Sequence, residues 1–190
     1  MHKNRLEAFS DGVIAIIITI MVLELKVPHG DSLDDLQNLI PIFASYVLSF
    51  LYLGIYWNNH HHMLQAAQKV NGNILWANMH LLFWLSLFPF VTAWAGETHF
   101  TFVPVLSYGV VLLMAAISYF ILARSLLAHH GPQSAFAAAL GKDFKGTISV
   151  IIYVIGLLLT FINPRIGLGL YTVVALLWLI PDKRFERKLQ

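Results

Sequence analysis

The sequence predicts an all-α membrane protein with six transmembrane helices. Hydrophobic residues make up 58% of the chain and charged residues 12%, whereas a soluble domain carries about 25% charged residues. The apolar residues form long runs near the ~20 residues that span a bilayer. Gly, Pro and Asn separate these runs. The chain is therefore predicted to form one membrane domain over residues 1–190.

The first three spans are each followed by residues that end helices. They are predicted over residues 4–27, 41–62 and 73–95. The breakers are Pro28 with Gly30, the turn Asn71-Gly72-Asn73, and Gly96. None of the three spans is expected to be broken at mid-membrane. The intervening segment 32–40 is expected to form a short amphipathic turn at the outer surface.

The last three spans are separated by two Pro-containing turns. They are predicted over residues 102–127, 146–162 and 165–180. The turns contain Gly131-Pro132 and Asn163-Pro164. The loop 129–141 is rich in Ala and Gly and is expected to be a plain connector. The fifth and sixth spans are short, so they are expected to tilt little or to lie in locally thinned lipid.

Several function classes lack any support in the residues. The chain has no Cys and no G-x-S-x-G, H-E-x-x-H or P-loop pattern, so we expect neither an enzyme nor a cofactor. The basic residues do not cluster between aromatic ones, which argues against nucleic-acid binding. The run His60-His61-His62 does not predict a metal site, because consecutive helical residues point about 100° apart.

The distribution of Lys and Arg predicts the orientation. With the N-terminus inside, ten of the twelve basic residues lie on the cytoplasmic side and only Lys26 and Arg165 lie outside. Inner loops of membrane proteins carry this excess. The sequence therefore predicts a multi-pass protein of the cell membrane with both termini in the cytoplasm. Acidic residues, Glu24 among them, predominate in the outer loops.

The first span combines a carboxylate with an aliphatic stripe. An ionisable residue inside a membrane helix costs at least ~2.5 kcal/mol on insertion scales and usually faces protein or water. Asp11 runs directly into an isoleucine-rich stretch, on which Ile16, Ile20 and Leu23 share one face. Thr19 flanks that stripe. The stripe is either a pore lining or a surface for lipid contact or bundle packing.

Asp11 lies about seven residues inside the first helix, ~10 Å deep. His80 lies at a matching depth in the third span, with Trp84 one turn deeper. Trp57 and His60 end the second span on the same side. We therefore expect Arg5, Ser10 and Asp11 to join a buried network with the second and third spans that orients the first helix.

Two other functions remain compatible with these residues. A proton-coupled cation transporter would use Asp11 and the nine histidines as a proton relay. A non-conducting membrane scaffold would explain packing but not a polar network beside an aliphatic stripe. A channel differs from both by a large passive flux that needs no second ion.

The motif Arg5-x-x-x-Phe9-Ser10-Asp11-Gly12 resembles the signature of the transmembrane protein 175 family, the endolysosomal potassium leak channel and its prokaryotic relatives. The resemblance continues through Ser49-Phe50, Tyr56-Trp57-x-x-His60, Asn78 and Leu87-x-Pro89-Phe90. The matching motifs lie in the first three spans, whereas the last three spans resemble the family only in length and hydropathy. A single copy of six spans fits the prokaryotic form.

The resemblance implies a homotetramer whose first helices line a central pore that conducts potassium in preference to sodium. It places a ring of bulky aliphatic side chains at Ile16, with Ile20 and Leu23 continuing outward, and gives Thr19 a part in selectivity. The carbonyl filter TVGYG of other potassium channels is absent from this sequence. Four Ile16 side chains would form a narrow apolar neck. Glu24 would concentrate cations at the outer mouth.

Overall fold

The computed structural model describes residues 3–28, 30–141 and 143–179, and the regular elements in these ranges are α-helices. In chain order they are α1 (Asn4–Leu23), α2 (Leu33–Gln37), α3 (Ile40–Ala66), α4 (Gly72–Ser86), α5 (Phe88–Glu97), α6 (Phe102–His130), α7 (Ala135–Leu140), α8 (Phe144–Thr160) and α9 (Pro164–Leu179). The all-α prediction agrees with this part of the chain.

Four helical stretches within the described ranges are long and apolar enough to cross a membrane. They are Asn4–Leu23, Ile40–Ala66, Gly72–Glu97 and Phe102–His130. The chain is thus a multi-pass membrane protein. α8 and α9 are apolar but have 17 and 16 residues, which is ~25 Å of helix against a hydrocarbon core of ~30 Å. The predicted end of the sixth span at Ile180 lies outside the described residues.

The third span is one helical stretch, Gly72–Glu97, with a single turn residue, Leu87, between two assigned helices. α4 ends at Ser86 and α5 begins at Phe88, with Pro89 in its first turn. Pro has no backbone N–H and its ring crowds the preceding turn, so helices bend there. The interruption leaves no unwound segment, because Leu87 keeps right-handed helical angles and its N–H bonds to the carbonyl of Trp84.

The loop 129–141 is not a plain connector. α6 continues to His130, and α7 forms within the loop and buries Phe136. The ring of Phe136 stacks on His130 with the centroids 5.5 Å apart. Nε2 of His130 in turn accepts hydrogen bonds from the backbone N–H groups of Gln68 and Lys69. This loop therefore fastens the end of α6 to the α3–α4 connection.

The segment 32–40 contains α2, a one-turn helix with a capping box. The Ser32 side chain accepts a bond from the N–H of Asp35, whose carboxylate accepts one from the N–H of Ser32. The hydroxyl of Ser32 also donates to that carboxylate, and this bond, followed by the one from the N–H of Ser32, holds the pKa of Asp35 below its usual range. The short turn expected here is thus a capped helix.

α1 lies on one side of the bundle, and α6 contacts most of the other long helices. α1 packs against α3, α4 and α5, whereas α6 packs against α4, α5, α8 and α9. α8 and α9 pack closely, since a Cβ on Gly167 would lie 2.0 Å from Oγ1 of Thr160. The arrangement leaves the opposite side of α1 without a neighbour among the described residues.

Candidate functional site

The two faces of α1 have opposite environments. The residues that it buries against the bundle recur every three or four positions, as expected for one face of a helix. They are Leu6, Ser10, Ile14, Ile17 and Met21. The face that carries the aliphatic stripe is exposed: Ile16 is 58%, Ile20 41% and Leu23 79% accessible. Packing within this chain therefore does not account for the aliphatic stripe.

The buried face of α1 is fixed by three polar side chains with no solvent exposure, namely Ser10, His60 and Asn78. The amide nitrogen of Asn78 donates to Oγ of Ser10 over 2.9 Å. Because that leaves the amide oxygen of Asn78 facing His60, Nε2 of His60 donates to it, over 2.7 Å. The hydroxyl of Ser10 donates a hydrogen bond to the carbonyl of Leu6. This chain of hydrogen bonds, the Ser10–Asn78–His60 anchor, ties α1 to α3 and α4.

Asp11 is bound beside this anchor. The indole N–H of Trp57 donates to Oδ1 of Asp11 over 3.0 Å. One turn earlier, Oε1 of Glu7 lies 3.4 Å from Nδ1 of His61, whose ring stacks on Trp57. Nζ of Lys3 donates to the carbonyls of Leu64 and Gln65 at the end of α3. The start of α1 is thus held along α3 by polar contacts.

His80 and Trp84 do not join Asp11, contrary to the expectation from their depth. Nε1 of Trp84 donates to Nε2 of His80, and Nδ1 of His80 lies 3.2 Å from Oγ of Ser118 on α6. Asn78 and His80 are two residues apart, which is about 200° around the helix. Asn78 therefore faces α1 while His80 faces α6.

The remaining motif residues, Arg5 and Phe9, are exposed on α1, so the expectation that Arg5 joins a buried network is wrong. They continue the uncovered side of the helix towards its N-terminus, together with Gly12. On the same side Thr19 donates its hydroxyl to the carbonyl of Ile16 over 2.8 Å. The exposed face is therefore polar at its start and aliphatic further along, with Thr19 beside Ile16.

A groove between α1 and α5 carries carboxylates at the far end of the stripe. Ile16, Ile20, Glu24 and Glu97 are among its lining residues. Glu97 forms an ion pair with Lys26. The hydrogen bond and charge of Glu97 raise the pKa of Lys26, and Glu24 adds a weaker attraction in the same direction. Lys26 therefore offsets the charge of one carboxylate in this groove.

Three contributors to the site were not identified from the sequence as site residues. Asn78 was noticed only through the resemblance, although an Asn within an apolar span is a signal in itself. The sequence did not indicate the ion pairs of Glu7 and Glu97, because their partners His61 and Lys26 are 54 and 71 positions away in the chain. The described residues contain no cluster of three His, Cys, Asp or Glu side chains able to hold a metal.

Comparison with known proteins places this arrangement in a family. Residues 5–89 match the family model described as endosomal/lysosomal potassium channel TMEM175. A potassium channel from Chryseobacterium sp. (strain P1-3) is 56% identical over 190 residues, which cover 100% of this chain and 99% of that protein. A potassium channel from Streptomyces collinus is 38% identical over 100 residues, 50% of this chain and 48% of that one.

A solved structure has the same fold. The crystal structure of a lysosomal potassium-selective channel TMEM175 homologue from Chamaesiphon minutus superposes with a TM-score of 0.82 at 26% sequence identity. The match covers 94% of this chain and 96% of that one. The motif on α1, the near full-length relative and the shared fold agree with one another, and this chain therefore belongs to the TMEM175 family.

Proposed function

We propose that this chain is one subunit of a homotetrameric, leak-type potassium channel in the cell membrane. The relatives named as potassium channels support potassium as the conducted ion. The observation that carries the proposal is the exposed aliphatic face of α1, held in a fixed orientation by the Ser10–Asn78–His60 anchor. Apolar side chains facing a shared axis form a pore that dewets when narrow.

In the proposed assembly, four copies of α1 surround the pore and Ile16, Ile20 and Leu23 form its narrow part. Six spans in each subunit and cytoplasmic termini follow from hydropathy and from the excess of Lys and Arg on one side. An apolar neck forces ions to lose water, and potassium loses water at a lower cost than sodium. Thr19 lies beside Ile16 and offers an oxygen to the partly dehydrated ion.

A transporter is less well supported than a channel. Transporters bind their ions at unwound helix segments near the membrane centre. The turn residue Leu87 is the only interruption within the four long spans of the described chain, and its backbone angles remain helical. The span therefore has no unwound segment of the kind at which transporters bind their ions.

The test is the reversal potential of the purified protein in planar bilayers with potassium on one side and sodium on the other. We expect a current that reverses well towards the potassium equilibrium value. A second recording with symmetrical potassium and a pH gradient measures proton permeability. Absence of current from folded protein in several lipids would support the scaffold, and flux coupled to the pH gradient would support the transporter.

Asp11→Ala is expected to lower the amount of assembled protein more than it changes ion selectivity. Asp11 accepts a bond from Trp57 and helps to orient α1, so its loss loosens the helix without altering the stripe. Both side chains are partly exposed, and we expect a loss of about 1 kcal/mol in stability. Size-exclusion chromatography and reversal potentials measure the two effects. Normal assembly with altered selectivity would instead place Asp11 in the pore.

Glu24→Gln is expected to reduce single-channel conductance at low salt only. A carboxylate at a pore mouth concentrates cations over roughly a Debye length, which is ~30 Å at 0.01 M salt and ~3 Å at 1 M. We expect about a twofold reduction at the lower concentration and none at the higher. Lys26→Gln is the matched variant and should raise conductance at low salt, because it frees Glu97 from its ion pair. Equal conductance in all three proteins would exclude this groove from the ion path.

A further inference from the structure

A second cavity lies away from α1, between α3, α6, α8 and α9. It has a volume of about 310 Å³ and is walled mainly by apolar side chains, a size that accommodates a ligand. Ile117 and Phe120 of α6, Val150 and Ile151 of α8 and Trp178 of α9 contribute to its lining. None of its lining residues belongs to α1, so it is separate from the proposed pore.

The cavity has the length of one half of a bilayer. Along α8 its lining runs from Asp143, the N-cap, to Tyr153. Ten residues of helix rise ~15 Å, which is half of the ~30 Å hydrocarbon core. Phe120 and Ile151 are about half exposed, so the cavity opens sideways into the bilayer. An acyl chain from the adjacent leaflet spans the same depth and has the same apolar surface.

Two cations flank the end of the cavity near the membrane surface. The guanidinium of Arg124 lies 4.8 Å from the ring centroid of Phe120. Nζ of Lys145 lies 5.8 Å from the ring centroid of Trp178, and both rings line the cavity. The carboxylate of Asp143 is also in the lining, but it accepts the N–H of Gly146 as the cap of α8. Basic groups between membrane helices attract anionic lipid headgroups.

We propose that this cavity binds one acyl chain of an anionic phospholipid whose phosphate is attracted by Arg124 and Lys145. The bilayer supplies the ligand, and the leaflet is the one next to the start of α8 and the end of α9. The lipid would fill the gap between α3 and α8 and join α6 to the α8–α9 pair. The proposal requires only that the chain is embedded in a membrane and does not depend on ion conduction.

Native mass spectrometry of the assembled protein tests this proposal. The protein is given equal amounts of phosphatidylglycerol and phosphatidylcholine with the same acyl chains, and the lipids retained per subunit are counted. We expect phosphatidylglycerol to be preferred. Arg124→Gln and Lys145→Gln should each lower that preference about fivefold, because one basic residue near the surface contributes about 1 kcal/mol. Ala116→Phe fills the cavity and should lower retention of both lipids at least about fivefold.

Matched controls separate the cavity from general effects on the protein. Ala128→Phe adds the same ring at an exposed site on α6, and Arg165→Gln removes a cation from the opposite end of α9; neither should change lipid retention. Equal retention in the Ala116→Phe and Ala128→Phe proteins would overturn the proposal, as would equal retention of both lipids by the unaltered chain. A changed subunit number in Ala116→Phe would overturn it in favour of a second copy of the chain as the occupant.

Discussion

Replacing Ile16 with Asn is expected to abolish most of the discrimination between potassium and sodium. In the proposed pore four Ile16 side chains form an apolar neck, and an ion must lose water to pass it. Four amide groups would replace that lost water and would also widen the wetted path. We expect a loss of at least ~1.4 kcal/mol of discrimination, which is about tenfold in the permeability ratio. The reversal potential under bi-ionic conditions measures this directly.

A matched variant distinguishes the neck from the bilayer-facing surface. Ile155→Asn makes the same substitution on the exposed side of α8, where the Ile is 44% accessible. It should leave the reversal potential unchanged. Unaltered selectivity in Ile16→Asn would remove Ile16 from the constriction, and the same experiment at Ile20 and Leu23 would then locate the narrow part.

Replacing Asn78 with Leu is expected to be the most destabilising polar substitution in the chain. Asn78 is fully buried and holds both Ser10 and His60. Leu has a similar branched shape but removes both hydrogen bonds. His60 would then have no partner at either ring nitrogen, since its Nδ1 already has none among the described residues. Hydrogen bonds between membrane helices average ~0.6 kcal/mol, and an unsatisfied buried group adds ~1–3 kcal/mol.

We therefore expect Asn78→Leu to cost about 2–4 kcal/mol of unfolding free energy. Denaturant unfolding in mixed micelles measures that loss, and chromatography shows how much of the proposed tetramer remains. Asn73→Leu at an exposed position of the same helix is the control and should be nearly neutral. The double variant Asn78→Leu with His60→Phe should recover part of the loss, because both partners are then apolar. An unchanged unfolding free energy in the Asn78→Leu protein would show that the anchor does not hold α1.

The positions of the long helices were predictable because hydropathy and breaker residues are local properties. The second and fourth predicted spans agree with α3 and α6 to within a few residues at each end. The third predicted span lies within the helical stretch Gly72–Glu97, and the turn residue Leu87 inside it was not predicted, although Pro89 follows it closely in the sequence. α7 was missed as well, because its formation depends on burial of Phe136 against His130 at the end of α6, a tertiary contact that the local sequence does not reveal.

The partners of the polar residues on α1 were only partly predictable. Matching depths identified the second and third spans as the elements that meet α1. Depth does not give the direction in which a side chain points, so His80 was assigned to Asp11 although it faces Ser118. Trp57 contacts Asp11, and Asn78 connects Ser10 to His60, because the packing of α1, α3 and α4 sets their rotations.

The sequence by itself determined that this protein is a helical membrane protein, that a polar motif opens its first helix, and that an aliphatic stripe follows the motif. These properties depend on composition and on helical periodicity, which are local properties of the sequence. Only the tertiary structure decided which face of α1 is buried. Apolar residues lie on every side of α1, so the sequence alone does not define which side faces the bundle. The buried hydrogen bonds of Ser10, Asn78 and His60 define that side and leave Ile16 uncovered.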